Sequence, residues 1–80
     1  MARYFFDVHD GTDFQRDDEG TELDSADAAV QAAARSAAEI GTGRLAKGDT
    51  SDVVIRVRDE HGGRMCTVTA SMKIDRHGWS

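Results

Sequence analysis

The sequence has one cysteine, no proline, and no apolar run long enough to cross a membrane. Cys66 alone can neither close an internal disulfide nor belong to a cysteine-rich metal cluster. The aromatic run Tyr4-Phe5-Phe6 is cut short by Asp7, so neither a membrane span nor a signal segment is readable, and the cytoplasm is the expected compartment. Positive charge is scarce as well. The net charge is −5, with 10 acids against 3 arginines in residues 1–40 and 7 lysines and arginines against 5 acids in residues 41–80. A phosphate-driven nucleic-acid binder needs clustered Lys and Arg, so no nucleic-acid partner is expected. The glycines form neither a phosphate loop nor a dinucleotide fingerprint. Ser25, Ser36, Ser51 and Ser71 lack the context of a nucleophile elbow. No repeat or linker-like stretch appears.

What is present is one small domain. Eighty residues are near the size where a single core gives only a few kcal/mol of net stability and where dimerisation often helps. Apolar residues make up 39% and charged residues 31%, above the range of disordered chains. Residues 25–47 are the one long helical pattern. Their alanines favour helix because Ala loses no side-chain entropy there. Ala26, Val30, Ala33, Ala37, Ile40 and Leu45 mark an apolar face, with Gln31, Arg35 and Glu39 opposite. Asp24 is the favoured N-cap over Ser25, with Leu23 stapled to the first turns and Asp27 complementing the macrodipole. Gly41 and Gly43 each cost about 1 kcal/mol relative to Ala, so the pattern allows a helix running to Lys47, ended by Gly48, or one stopping at Ile40.

Strands are expected on both sides of the helix. Residues 3–10 alternate, with Tyr4, Phe6 and Val8 on one face and Phe5, Asp7 and His9 on the other. After the Asp10-Gly11 turn, residues 14–16 are a short second strand, and the acidic residues 17–22 are a loop. Residues 52–59 alternate most clearly: Val53, Ile55 and Val57 against Val54, Arg56 and Arg58. A glycine-rich hairpin loop joins them to residues 65–72. The expected fold is α+β, in ββαββ order, with a mainly antiparallel three- or four-stranded sheet packed against one helix. Residues 1–72 form the domain and residues 73–80, with Trp79, a flexible tail. Tyr4, Phe6, Val8, Leu23, Val53, Ile55 and Val57 should face the alanines.

Tyr4-Phe5-Phe6, Asp10-Gly11 and the run Asp18-Glu19-Gly20-Thr21-Glu22-Leu23 ahead of an Ala-rich helix resemble a family of small uncharacterised bacterial proteins. That family is a domain of unknown function abundant in rhizobia and their relatives, and the likeness covers about residues 3–70. It implies no established activity and no catalytic residues. More loosely, an antiparallel sheet with one helix is similar to the HicB-type antitoxin domain, which is associated with a small RNase partner; the strand count before the helix differs.

Candidate chemistry is thin. Asp7, His9, Asp10, Asp13, Asp17, Asp18 and Glu19 are dense in potential ligands, but their spacing does not match a calcium loop, and a solvated acidic loop is expected with no metal or other cofactor. His9, His61 and His77 fall on separate elements. Cys66 sits in an apolar-rich strand, where burial makes a thiol inert. The expectation is therefore no enzyme but an association module. A homodimer would form through the open sheet face carrying Phe5, Asp7, Val54, Arg56 and Arg58. The alternative is an antitoxin-like or regulatory subunit whose acidic surface binds a basic partner protein.

Overall fold

Alternating residues fix the strands and alanines the helix, in the order β1 (Ala2–Asp10), β2 (Asp13–Gln15), β3 (Thr21–Leu23), α1 (Ala26–Ala46), β4 (Val53–Arg58) and β5 (Arg64–Ala70). The structure, a computed structural model, describes residues 1–78. Trp79 and the last part of the expected tail lie outside the described residues. All pairings are antiparallel, in the spatial order β2-β1-β4-β5, with β3 also on β1. The fold is α+β with one helix on one sheet, as the patterning implied.

One strand was not expected. Residues 21–23 pair with Ala2, Arg3 and Tyr4, while β2 pairs with Val8, His9 and Asp10. Two short strands thus share one edge of β1, so the sheet has five strands but is four strands wide. Three consecutive acids at residues 17–19 pointed to a loop. They do form one, but it is short enough for Thr21 to rejoin the sheet.

The helix runs unbroken through both glycines to Ala46. Gly41 is buried against the segment that follows β5: a Cβ there would lie 2.9 Å from the methyl at the tip of the flexible Met72 side chain. The helix ends in a Schellman motif. The Gly48 N–H donates to the Leu45 carbonyl and the Asp49 N–H to the Arg44 carbonyl, with Gly48 at φ +84°. At the other end the N-cap is Ser25 rather than Asp24. Its Oγ accepts the Ala28 N–H at 3.1 Å, since the chain leaves β3 at Leu23 and turns helical only at Ala26.

The core is thin. Tyr4, Val53, Ile55 and Val57 are buried against Ala29, Ala33 and Ala37, and among the described residues no fully buried side chain is larger than Ile55. Phe6, Val8, Leu23, Ile40, Met65, Cys66, Val68 and Ala70 pack around them, partly buried. The helical stripe differs from the expected one. Ala29, Ala33, Ala37 and Gly41 are buried, while Val30 is 38% exposed. No helix among the described residues is long and apolar enough to cross a membrane.

Candidate functional site: a clasp on the open sheet face

The β1–β4 register sets Phe5 opposite Arg58, Asp7 opposite Arg56 and His9 opposite Val54, while Phe6 and Val8 lie opposite Val57 and Ile55. Pleating then puts Phe5, Asp7, Val54, Arg56 and Arg58 together on the face away from the helix. Three of them lock onto one another. Arg58 Nε donates to Asp7 Oδ2 at 2.6 Å and Nη2 to Oδ1 at 3.0 Å, a forked charge-assisted pair made across the strand diagonal. Its guanidinium carbon lies 5.0 Å above the Phe5 ring, and Nη2 also donates to the Asp17 carbonyl at 3.0 Å.

Asp17 completes the clasp from the acidic loop. Its Oδ2 accepts the Phe6 N–H at 3.1 Å, in the gap between β2 and β3 where β1 would otherwise present an unpaired donor. Its Oδ1 accepts the N–H groups of Glu19 and Gly20 at 3.2 and 3.0 Å, and its own N–H donates to Asp7 Oδ1 at 3.1 Å. Gly20 is required at this turn. It sits at φ +73°, and a Cβ would fall 2.8 Å from Arg3 Cγ, 2.9 Å from the Phe5 ring and 3.0 Å from the Tyr4 carbonyl. Arg3 Nη1 holds the turn from outside through the Glu19 carbonyl, at 2.7 Å.

These bonds set the charge states. The Arg58 hydrogen bond holds the Asp7 carboxyl below the ordinary aspartate range, and burial only partly opposes it. Burial alone would raise Asp17. The N–H donors of Gly20, Phe6 and Glu19 outweigh it and leave the group lowered. Arg58 is raised in turn, chiefly by Asp7. Asp7 is 8% exposed, so it stands beneath the open face rather than on it; sequence periodicity counted it among presentable residues because it cannot see the loop that closes over it. Val54 and Phe5 are half-buried and Arg56 is exposed.

A second ionic group fastens the far end of β1. Arg44, in the last turn of α1, pairs with the carboxylates of Asp10 and Asp49 and donates to the Asp10 carbonyl. The pairing raises Arg44, with Asp10 the main cause. Asp49 is lowered, first by the Ser51 N–H. A shallow open hollow lies beside it, lined by His9, Gly11, Thr12, Ser51 and Val54 among others. His9 stacks on Phe14 with 4.3 Å between ring centroids and has Arg56 within 3.3 Å of its Nε2. His61 is exposed at the β4–β5 turn, so the structure does not bring it near His9. Among the described residues no three His, Cys, Asp or Glu side chains are grouped to hold a metal ion. Cys66 is half-buried on the helix side of β5, opposite Val57.

The sequence matches the family described as Domain of unknown function (DUF6894) over residues 3–71, which take in the helix and, but for Ala2, all the strands. The chain belongs to this family. No curated protein and no solved structure matches it. The matched span takes in the whole clasp, from Arg3 through Asp17 and Gly20 to Arg58.

Proposed function

We propose that this DUF6894 domain is a non-enzymatic protein-association module that works as a homodimer. The observation carrying it is the thinness of the core. One helix covers one face of the sheet, and among the described residues three of the seven buried apolar residues are alanines and the largest fully buried side chain is an isoleucine. Association is one of the ways in which a domain with so little enclosed apolar volume gains stability, and with one cysteine in the sequence an internal disulfide is not another. A non-enzymatic role is supported by the state of the ionisable groups. Asp7, Asp17, Arg44 and Arg58 are each held by fixed partners within the fold, which makes them structural ties and not poised acids or bases.

The acidic-surface alternative loses Asp7 and Asp17, which turn inward, and keeps Asp18 and Glu22, which stay exposed beside Arg16 and Arg3. The test is the mass and melting temperature of the purified chain against concentration. A dimer gives a two-chain mass at micromolar concentration and a melting temperature that rises with concentration. A single-chain mass with a constant melting temperature refutes it.

A further inference from the structure

The two edges of the sheet are finished differently. On one, β2 and β3 share β1, and Asp17 accepts the one N–H left in the gap. On the other, β5 pairs with β4 and, among the described residues, with no further strand. Alternate N–H and C=O groups of β5 therefore face outward. Residues 65–70 contain no charge and no proline to discourage another strand. The irregularity of the β4–β5 ladder falls between Val57 and Arg58, near Arg64, so residues 66–70 pair regularly.

We infer that this edge receives a second copy of the chain, its β5 antiparallel to the first, so that two sheets join into one with both helices on the same side. The inference rests on the homodimer proposed above and gives it a surface. A two-fold axis keeps every side chain on its own face only if it passes through a residue, not between two. The five regular residues pair completely when that residue is Val68. Thr67 then faces Thr69 twice on the open face, Cys66 faces Ala70 twice beneath the helices, and Val68 meets its own copy. No charge opposes a like charge in this ladder.

The helix imposes a separate condition. It packs over β4 and β5, which sets its axis about one strand spacing, ~4.8 Å, from the pairing axis. The two helices would then run about 10 Å apart, within packing distance for small contact residues. The flank toward β5 has such residues. Ile40 and Arg44 lie on the β1 side, where Arg44 bonds Asp10 and Ile40 lines a hollow with Val8 and Phe14, whereas Gly41 lies against Ala70 and Met72. The row Val30, Ala34, Ala38, beside the buried Ala29, Ala33, Ala37, is thus on the β5 side, and all three are exposed. The heights agree too. Counting back from the Gly41–Ala70 contact at ~1.5 Å per helical and ~3.3 Å per strand residue puts Val68 level with about helix position 36 or 37. The axis that centres the strands on Val68 therefore also brings Ala34 against the partner's Ala38.

The test uses Thr67→Cys and Thr69→Cys, each in a Cys66→Ala background, purified separately, then mixed and oxidised. In the inferred pairing a cysteine at 67 faces one at 69 within disulfide reach, while two cysteines at the same position lie on a diagonal of about 7–8 Å, too far to bridge. The mixture should form a covalent dimer and neither protein alone should. In parallel, Ala34→Glu, at an exposed position that leaves the circular dichroism unchanged, should weaken the dimer by roughly tenfold or more. A natural chain that is monomeric at micromolar concentration overturns both the inference and the homodimer. A dimer that survives Ala34→Glu and gives no mixture-specific cross-link overturns the β5 surface alone.

Discussion

Gly20 offers the sharpest stability test, because two separate costs meet at one residue. Replacing it with alanine keeps φ at +73°, which costs an L-residue about 1–2 kcal/mol. The new methyl would also lie 3.0 Å or less from Arg3 Cγ, the Phe5 ring and the Tyr4 carbonyl. Arg3 can swing away, but Phe5 is held under Arg58 and the carbonyl belongs to a paired strand, so relief requires the loop to move. Overpacking of this kind costs about 1–3 kcal/mol, and the reduced freedom of the unfolded chain returns about 0.4–1 kcal/mol. The net loss is about 1–5 kcal/mol, a large part of the roughly 4–12 kcal/mol expected for a chain of this length. Gly48→Ala is the control: φ is +84° but nothing lies within 4 Å, so only the backbone cost applies and the loss is about 1.5 kcal/mol or less. Urea unfolding of both variants measures the difference. Equal losses would refute the claim that the loop around Gly20 is closed against Phe5 and Tyr4.

Gly43→Ala should stabilise the protein by about 0.5–1 kcal/mol, read as a higher melting temperature, since it sits mid-helix with open space where a methyl would go. Ser25→Ala should cost about 1 kcal/mol and Asp24→Ala under about 0.5 kcal/mol in the same assay; the reverse order would return the cap to Asp24. The folded carboxyls of Asp7 and Asp17 are both lowered, so below about pH 4 the unfolded chain takes up protons that the folded chain resists. Their contribution to stability is full above the unfolded pKa and falls away as pH drops through the lowered folded values. Asp7→Asn should therefore flatten the acid limb of stability against pH, and an unchanged limb would show that the clasp does not set it.

Much of the architecture was legible because the strands alternate cleanly. Val53, Ile55 and Val57 announce a half-buried strand, and Tyr4, Phe6 and Val8 its neighbour. The helix was legible in extent but not in phase. Alanines occur all round it, at 26, 28, 29, 32, 33, 34, 37 and 38, so they mark no face, and the bulkier Val30 and Ile40 suggest a stripe turned away from Ala29 and Gly41. The clasp was legible only in parts. Asp17 followed three residues later by Gly20 carries the local signal of an Asx-type turn, in which a carboxylate accepts nearby N–H groups. That the second oxygen of this carboxylate reaches the Phe6 N–H, and that Arg58 crosses diagonally to Asp7, depends on strand register, which one sequence does not specify.

The contrast between the sheet's edges then acquires a physical reason. At the β1 edge the chain commits an aspartate, an arginine and a left-handed glycine to leave no unpaired donor between two short strands. At the β5 edge no further strand is added among the described residues, and backbone faces outward along residues 65–70 without the lysines, prolines or inward charges that keep solitary edges from pairing at random. Left bare, such an edge invites indiscriminate strand addition, whereas covered by one symmetric partner it is closed on both sides and pairing stops at two chains. Thr69→Lys separates these cases. It places like charges near the two-fold axis on the open face, so it should convert the dimer to a folded monomer. If the variant instead keeps the two-chain mass with unchanged affinity, β5 is not the edge that pairs.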